Sequence, residues 1–175
     1  MKARKPRTSR ALLDVILSVM ALILLMVAPP TEGDTIPKVD YVLEVSWEEG
    51  LDTDIDTWLM LPDGVKMSYG NKDVGYASID RDDLGRVNDP APPNIEVTKL
   101  RALKDGIYYV SIYNYRGVAK GEVWIVFRQV NTKRIIWSSK VIMPEKKVEV
   151  PIFVFLIVDG RIENVRASER RIVGP

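Results

Sequence analysis

The sequence predicts a single N-terminal transmembrane helix followed by an all-β antiparallel sandwich domain. Three observations predict it. An apolar run from Ala11 to Ala28, closed by Pro29 and Pro30, has about the length that a tilted helix needs to cross hydrocarbon. Beyond residue 38 the hydrophobic period is two: Leu43, Val45 and Trp47 alternate with Glu44, Ser46 and Glu48, and Tyr108, Val110 and Ile112 with Tyr109, Ser111 and Tyr113. Turn chemistry then cuts the chain into short pieces at Pro62-Asp63-Gly64, Asp105-Gly106, Arg116-Gly117 and Asp159-Gly160.

Residues 1–10 carry Lys2, Arg4, Lys5, Arg7 and Arg10 and no acid, so they are expected to stay in the cytoplasm, with residues 11–28 as the helix and everything beyond it on the far side. A cleaved signal peptide is the competing reading, since it shares the basic start and apolar stretch. Against it, Met26-Val27-Ala28 is a poor cleavage site, with Met where a small residue is wanted and Pro29 directly after. Residues 29–38 are polar, with Gly33 and Pro37, and suit a linker at an inner-membrane surface. Residues 39–175 form the periplasmic or extracytoplasmic domain. Its strands are predicted at Leu43 to Trp47, Ile55 to Leu61, Val65 to Tyr69, Tyr76 to Ile79, Ile95 to Leu100, Tyr108 to Tyr113, Glu122 to Val130, Arg134 to Met143, Val148 to Val158 and Arg161 to Ala167. The apolar run Pro151 to Val158 is too short to cross a bilayer and reads as a core strand. Val87 to Asn94 is Pro-rich and reads as an exposed loop.

The chain has no Cys and no His. That removes disulfides, the commonest general base and the usual transition-metal ligand, so familiar hydrolytic enzymes are disfavoured and no enzymatic activity is expected. Charge is segregated: residues 1–30 hold five Lys/Arg and one acid, residues 31–100 six against sixteen, and residues 101–175 fourteen against seven. The basic residues of the last third are dispersed along strands, which argues against nucleic acid as a partner.

Two acidic runs present carboxylates at alternating positions, as a calcium loop does: Asp52, Asp54 and Asp56, then Asp80, Asp82 and Asp83. Calcium is the expected ion if any binds. Neither run is an EF-hand, because the first lacks the Gly and distal Glu, and acids at strand ends also occur without an ion. The segment Asp54 to Gly64 (DIDTWLMLPDG) resembles an acidic strand running into a hairpin in the YfaP-like bacterial β-sandwich domains. That resemblance implies the fold. Trp47, Trp58, Trp124 and Trp137 fall on strands, where core packing is their expected role.

The N-terminal run, Leu12-Leu13-Asp14-Val15-Ile16-Leu17 and onward to Pro29, resembles the transmembrane helix of the ExbD/TolR family, with MotB more distant. The resemblance covers about twenty of 175 residues, and the family's outer domain is not repeated here. It implies that Asp14 carries protons and that two such helices form a homodimer inside a ring of polytopic ExbB/TolQ/MotA-like subunits. The chain is then the bitopic subunit of a proton-driven motor complex, coupling transport at Asp14 to the outer β-domain. Asp14, Ser18, Ala21 and Leu25 form one helical stripe that suits a channel or a helix partner. One alternative stays open. Asp14 lies near the helix start with Arg10 four residues before it, so it can pair and snorkel as a bystander. The chain is then a membrane-anchored sandwich that binds an envelope protein or glycan, with no transport role.

Overall fold

The computed structural model describes residues 12–20, 38–85, 87–88 and 92–174. The chain divides into two compact units, Met1–Ile36 and Pro37–Pro175. In the first, the described residues form one helix over 12–20, about 14 Å long, against roughly 30 Å for the hydrocarbon core of a bilayer. No helix among the described residues is long and apolar enough to cross a membrane. This corrects the transmembrane part of the expected fold class. An uninterrupted apolar composition measures compatibility with hydrocarbon, whereas span is set by the length of the helix itself. The rest of the expected helix, including Ala21, and the linker up to residue 37 lie outside the described residues.

The second unit is built from ten strands: β1 (Val39–Trp47), β2 (Asp54–Met60), β3 (Lys66–Met67), β4 (Ala77–Arg81), β5 (Ile95–Arg101), β6 (Gly106–Arg116), β7 (Glu122–Gln129), β8 (Ile135–Ile142), β9 (Glu149–Val158) and β10 (Arg161–Ala167). Each lies where period-two alternation or a β-rich run places one. They form two five-stranded antiparallel sheets, ordered β4-β5-β1-β7-β8 and β10-β9-β6-β2-β3. The core lies between them. Leu43, Val45, Leu100, Ile125 and Phe127 of the first sheet meet Ile55, Leu59, Tyr108, Val110, Phe153 and Phe155 of the second. Phe127 holds the layers together, with ring centroids 5.4 Å from Phe153 and 5.1 Å from Phe155. Burying such side chains stabilises the fold by roughly 1.5–3 kcal/mol each. Of the four tryptophans, Trp47 is buried and Trp137 stacks on Phe153, but Trp124 is 41% exposed, because β7 presents it on the outer face of its sheet.

Two features of this frame prepare the site. β3 pairs only with Leu59 and Met60, so among the described residues no strand lies beside the β2 edge from Asp54 to Trp58 on that side. After β6 the chain turns back tightly onto the start of β2 at Gly117, whose φ is +117°. A Cβ at Gly117 would stand 2.5 Å from Thr53 Cα and 2.6 Å from the Asp52 carbonyl oxygen, so only glycine permits this approach.

Candidate metal centre

β2 carries two carboxylates on one face. Ile55, Thr57 and Leu59 point to the core, while Asp54, Asp56 and Trp58 alternate to the other side. A strand face toward water would leave these acids solvated. Here they are covered: Asp54 is 6% and Asp56 3% exposed, with Tyr69, Lys72, Asp82, Leu84 and Tyr115 gathered around them.

Two further acids converge on them. Asp82 follows β4 and reaches in beside Lys72, whose Nζ donates to its Oδ2 at 2.6 Å. Glu96 comes from β5, on which Glu96, Thr98 and Leu100 are the buried side and Val97 and Lys99 are not. Glu96 is 1% exposed, and its Oε2 accepts a 2.6 Å hydrogen bond from the Thr57 backbone N–H, capping the unpaired edge of β2. One carboxylate oxygen from each of Asp56, Asp82 and Glu96 lies within 4.8 Å of the others. Each of these residues, and Asp54 with them, has an oxygen that accepts no hydrogen bond from a donor among the described residues: Asp54 Oδ1, Asp56 Oδ2, Asp82 Oδ1 and Glu96 Oε1.

Buried carboxylates at this spacing cannot all stay ionised without compensation. Burial first, then the charge of Asp82, pushes Asp54 up to about 6. Asp56 rises to about 7, through burial and then the charges of Asp54 and Asp82. Burial holds Glu96 well above the ordinary carboxylate range, and contact with Asp82 adds to that. Lys72 offsets one of the four charges. The rest is relieved either by protons shared between facing oxygens or by a cation among them. The donors are all carboxylate oxygens, which suits a hard ion such as calcium and not a metal that selects imidazole or thiolate.

The remaining expected calcium ligands stand elsewhere, because each has its own partners. Asp52 accepts from Arg116 and from the Val87 N–H, both at 3.0 Å. Asp80 pairs with Lys99 and accepts from Ser78 Oγ at 3.2 Å. Asp83 is fully buried and braces its own loop, accepting from the Gly85 N–H at 2.9 Å and the Ile95 N–H at 3.3 Å. In the other unit, Asp14 and Ser18 are exposed one turn apart, and Ser18 Oγ donates to the Asp14 backbone carbonyl at 2.8 Å. Glu96 is the residue that sequence reasoning missed. No family model, curated protein or solved structure matches the chain. The resemblances to ExbD/TolR helices and YfaP-like strands therefore rest on the quoted residues alone.

Asp54, Asp56 and Asp82 line a cavity of about 210 Å³. Its sides are Tyr69, Lys72, Leu84 and Tyr115. The two tyrosine rings lie 5.8 Å apart, Trp58 stands edge-on to Tyr69 at 6.4 Å, and Lys147 Nζ sits 3.4 Å from the Tyr115 centroid.

Proposed function

We propose that this chain is a calcium-dependent β-sandwich binding module, with the ion held by Asp56, Asp82 and Glu96 and supported by Asp54. One observation carries the reading: three carboxylates converge within 4.8 Å, two of them buried, with oxygens that accept no hydrogen bond among the described residues. An ion at that point satisfies those oxygens and offsets the repulsion that lifts Asp54 and Asp56. The expectation of a proton-driven motor stands on a membrane-crossing helix that the described residues do not contain, and the proposal does not use it.

Calorimetric titration of the chelator-treated full chain with calcium tests this. A single saturable site per chain is expected, with an increase in Tm on the order of 5–10 °C at about a hundred times Kd. Magnesium, which demands a tighter octahedron, is expected to bind more weakly. Absence of calcium binding at millimolar ion, or a Glu96→Gln variant that binds calcium as the wild type does, would overturn the proposal.

A further inference from the structure

We infer that the cavity above the ion takes a saccharide, which gives two neighbouring hydroxyls to the calcium and lays its C–H face on Tyr69 and Tyr115. The inference rests on the calcium reading and names the ligand of that same site. Calcium takes six to eight oxygen ligands. Asp56, Asp82 and Glu96, even with Asp54, do not fill that shell with one oxygen each, and three of these residues, Asp54, Asp56 and Asp82, line the adjoining cavity. An oxygen-rich ligand is the chemistry that completes them.

The walls narrow the choice. Tyr69 and Tyr115 are 51% and 41% exposed, although a ring pair 5.8 Å apart beside buried acids has apolar surface to cover. Both rings have a protein neighbour, Trp58 in a T-shaped contact with Tyr69 and Lys147 over Tyr115, which limits their freedom before a ligand arrives. A pyranose offers what the two surfaces ask for, vicinal hydroxyls on one side and a patch of C–H on the other. A simple anion fills the coordination shell but leaves the rings bare. An aliphatic ligand covers the rings but leaves the ion's shell open.

The test is saturation-transfer NMR and calorimetry on the calcium-loaded full chain, with a panel of neutral pyranoses and their uronic acids as probes. At least one sugar is expected to bind, with transfer strongest to its C–H protons, and to be released by EDTA. Tyr69→Ala and Tyr115→Ala are each expected to weaken that sugar about tenfold or more while leaving calcium affinity unchanged. The inference is overturned if calcium binds and no sugar in the panel does, if sugar binding survives EDTA, or if both tyrosine variants bind sugar as the wild type does. If calcium itself does not bind the wild type, the calcium reading and this inference fall together, and the calcium titration alone shows it.

Discussion

Six aspartates stand in two short runs of this chain, and the fold treats members of each run in opposite ways. Asp52, Asp80 and Asp83 meet arginine, lysine or backbone N–H groups; the Lys99 hydrogen bond, for one, holds Asp80 below the ordinary carboxylate range. Asp54, Asp56 and Asp82 turn toward one another and toward Glu96, and burial lifts Asp54 and Asp56 to about 6 and 7. The same residue type is thus stabilised as an anion at Asp80 and penalised at Asp54 and Asp56. What separates the sets is how fully donors meet them: in the second, Lys72 reaches Asp82, and the facing oxygens of Asp54, Asp56 and Asp82 leave room for a cation.

The largest expected effect comes from removing the second set. Asp56→Asn with Glu96→Gln should weaken calcium by about 100-fold or more, since even outer-shell partners of a metal cost 10–100-fold. In chelator the same double variant should be more stable than the wild type to urea, because it removes charges that repel. A double variant less stable than the metal-free wild type would mean that these carboxylates hold the fold together without an ion.

The frame that sets the comparison can be broken from behind. Gly117→Ala pushes a Cβ into the backbone of Thr53, next to Asp54, and should cost about 2 kcal/mol in chemical denaturation. Unchanged stability would show that the turn can move aside.

Protons offer a milder version of the same contrast. The folded state holds protons on Asp54 and Asp56 up to about pH 6 and 7, whereas the unfolded chain has lost them by about pH 5. Folding therefore takes up protons in that window, so the metal-free protein should become less stable as pH rises from 5 to 8. Saturating calcium, which competes with those protons, should reverse the slope. Urea midpoints across the range, with and without EDTA, check it, and identical slopes would remove the competition.

The smallest effect belongs to the first set. Asp52→Asn and Asp80→Asn break partly exposed ion pairs, worth about 0–1 kcal/mol each, and should leave calcium affinity as it was. A large loss of calcium binding in either would place the ion elsewhere.

Much of the sandwich was legible because its strands alternate: the ten strands follow the period-two segments, and the glycine turns fall between them. Three of the site's four carboxylates were legible too. Asp54 and Asp56 announce themselves two apart on one strand, and Asp82 lies in the next acidic run. Glu96 was not legible. On β5 the more apolar side, with Ile95 and Val97, is the half-buried one, while Glu96 and Thr98 face inward, so hydrophobic pattern points the wrong way there. That inversion follows from the missing neighbour of β2, a tertiary fact that local spacing does not encode. The N-terminal run misled in another way, since its apolar length invites a spanning helix where the described helix covers nine residues.

The most direct measurement is a crystal structure of the full chain grown with calcium and collected for anomalous signal. The account predicts one anomalous peak at 2.3–2.6 Å from oxygens of Asp56, Asp82 and Glu96, the range of calcium–oxygen bonds. No peak there, with the Glu96 and Asp82 oxygens instead at hydrogen-bonding distance around a shared proton, would contradict it.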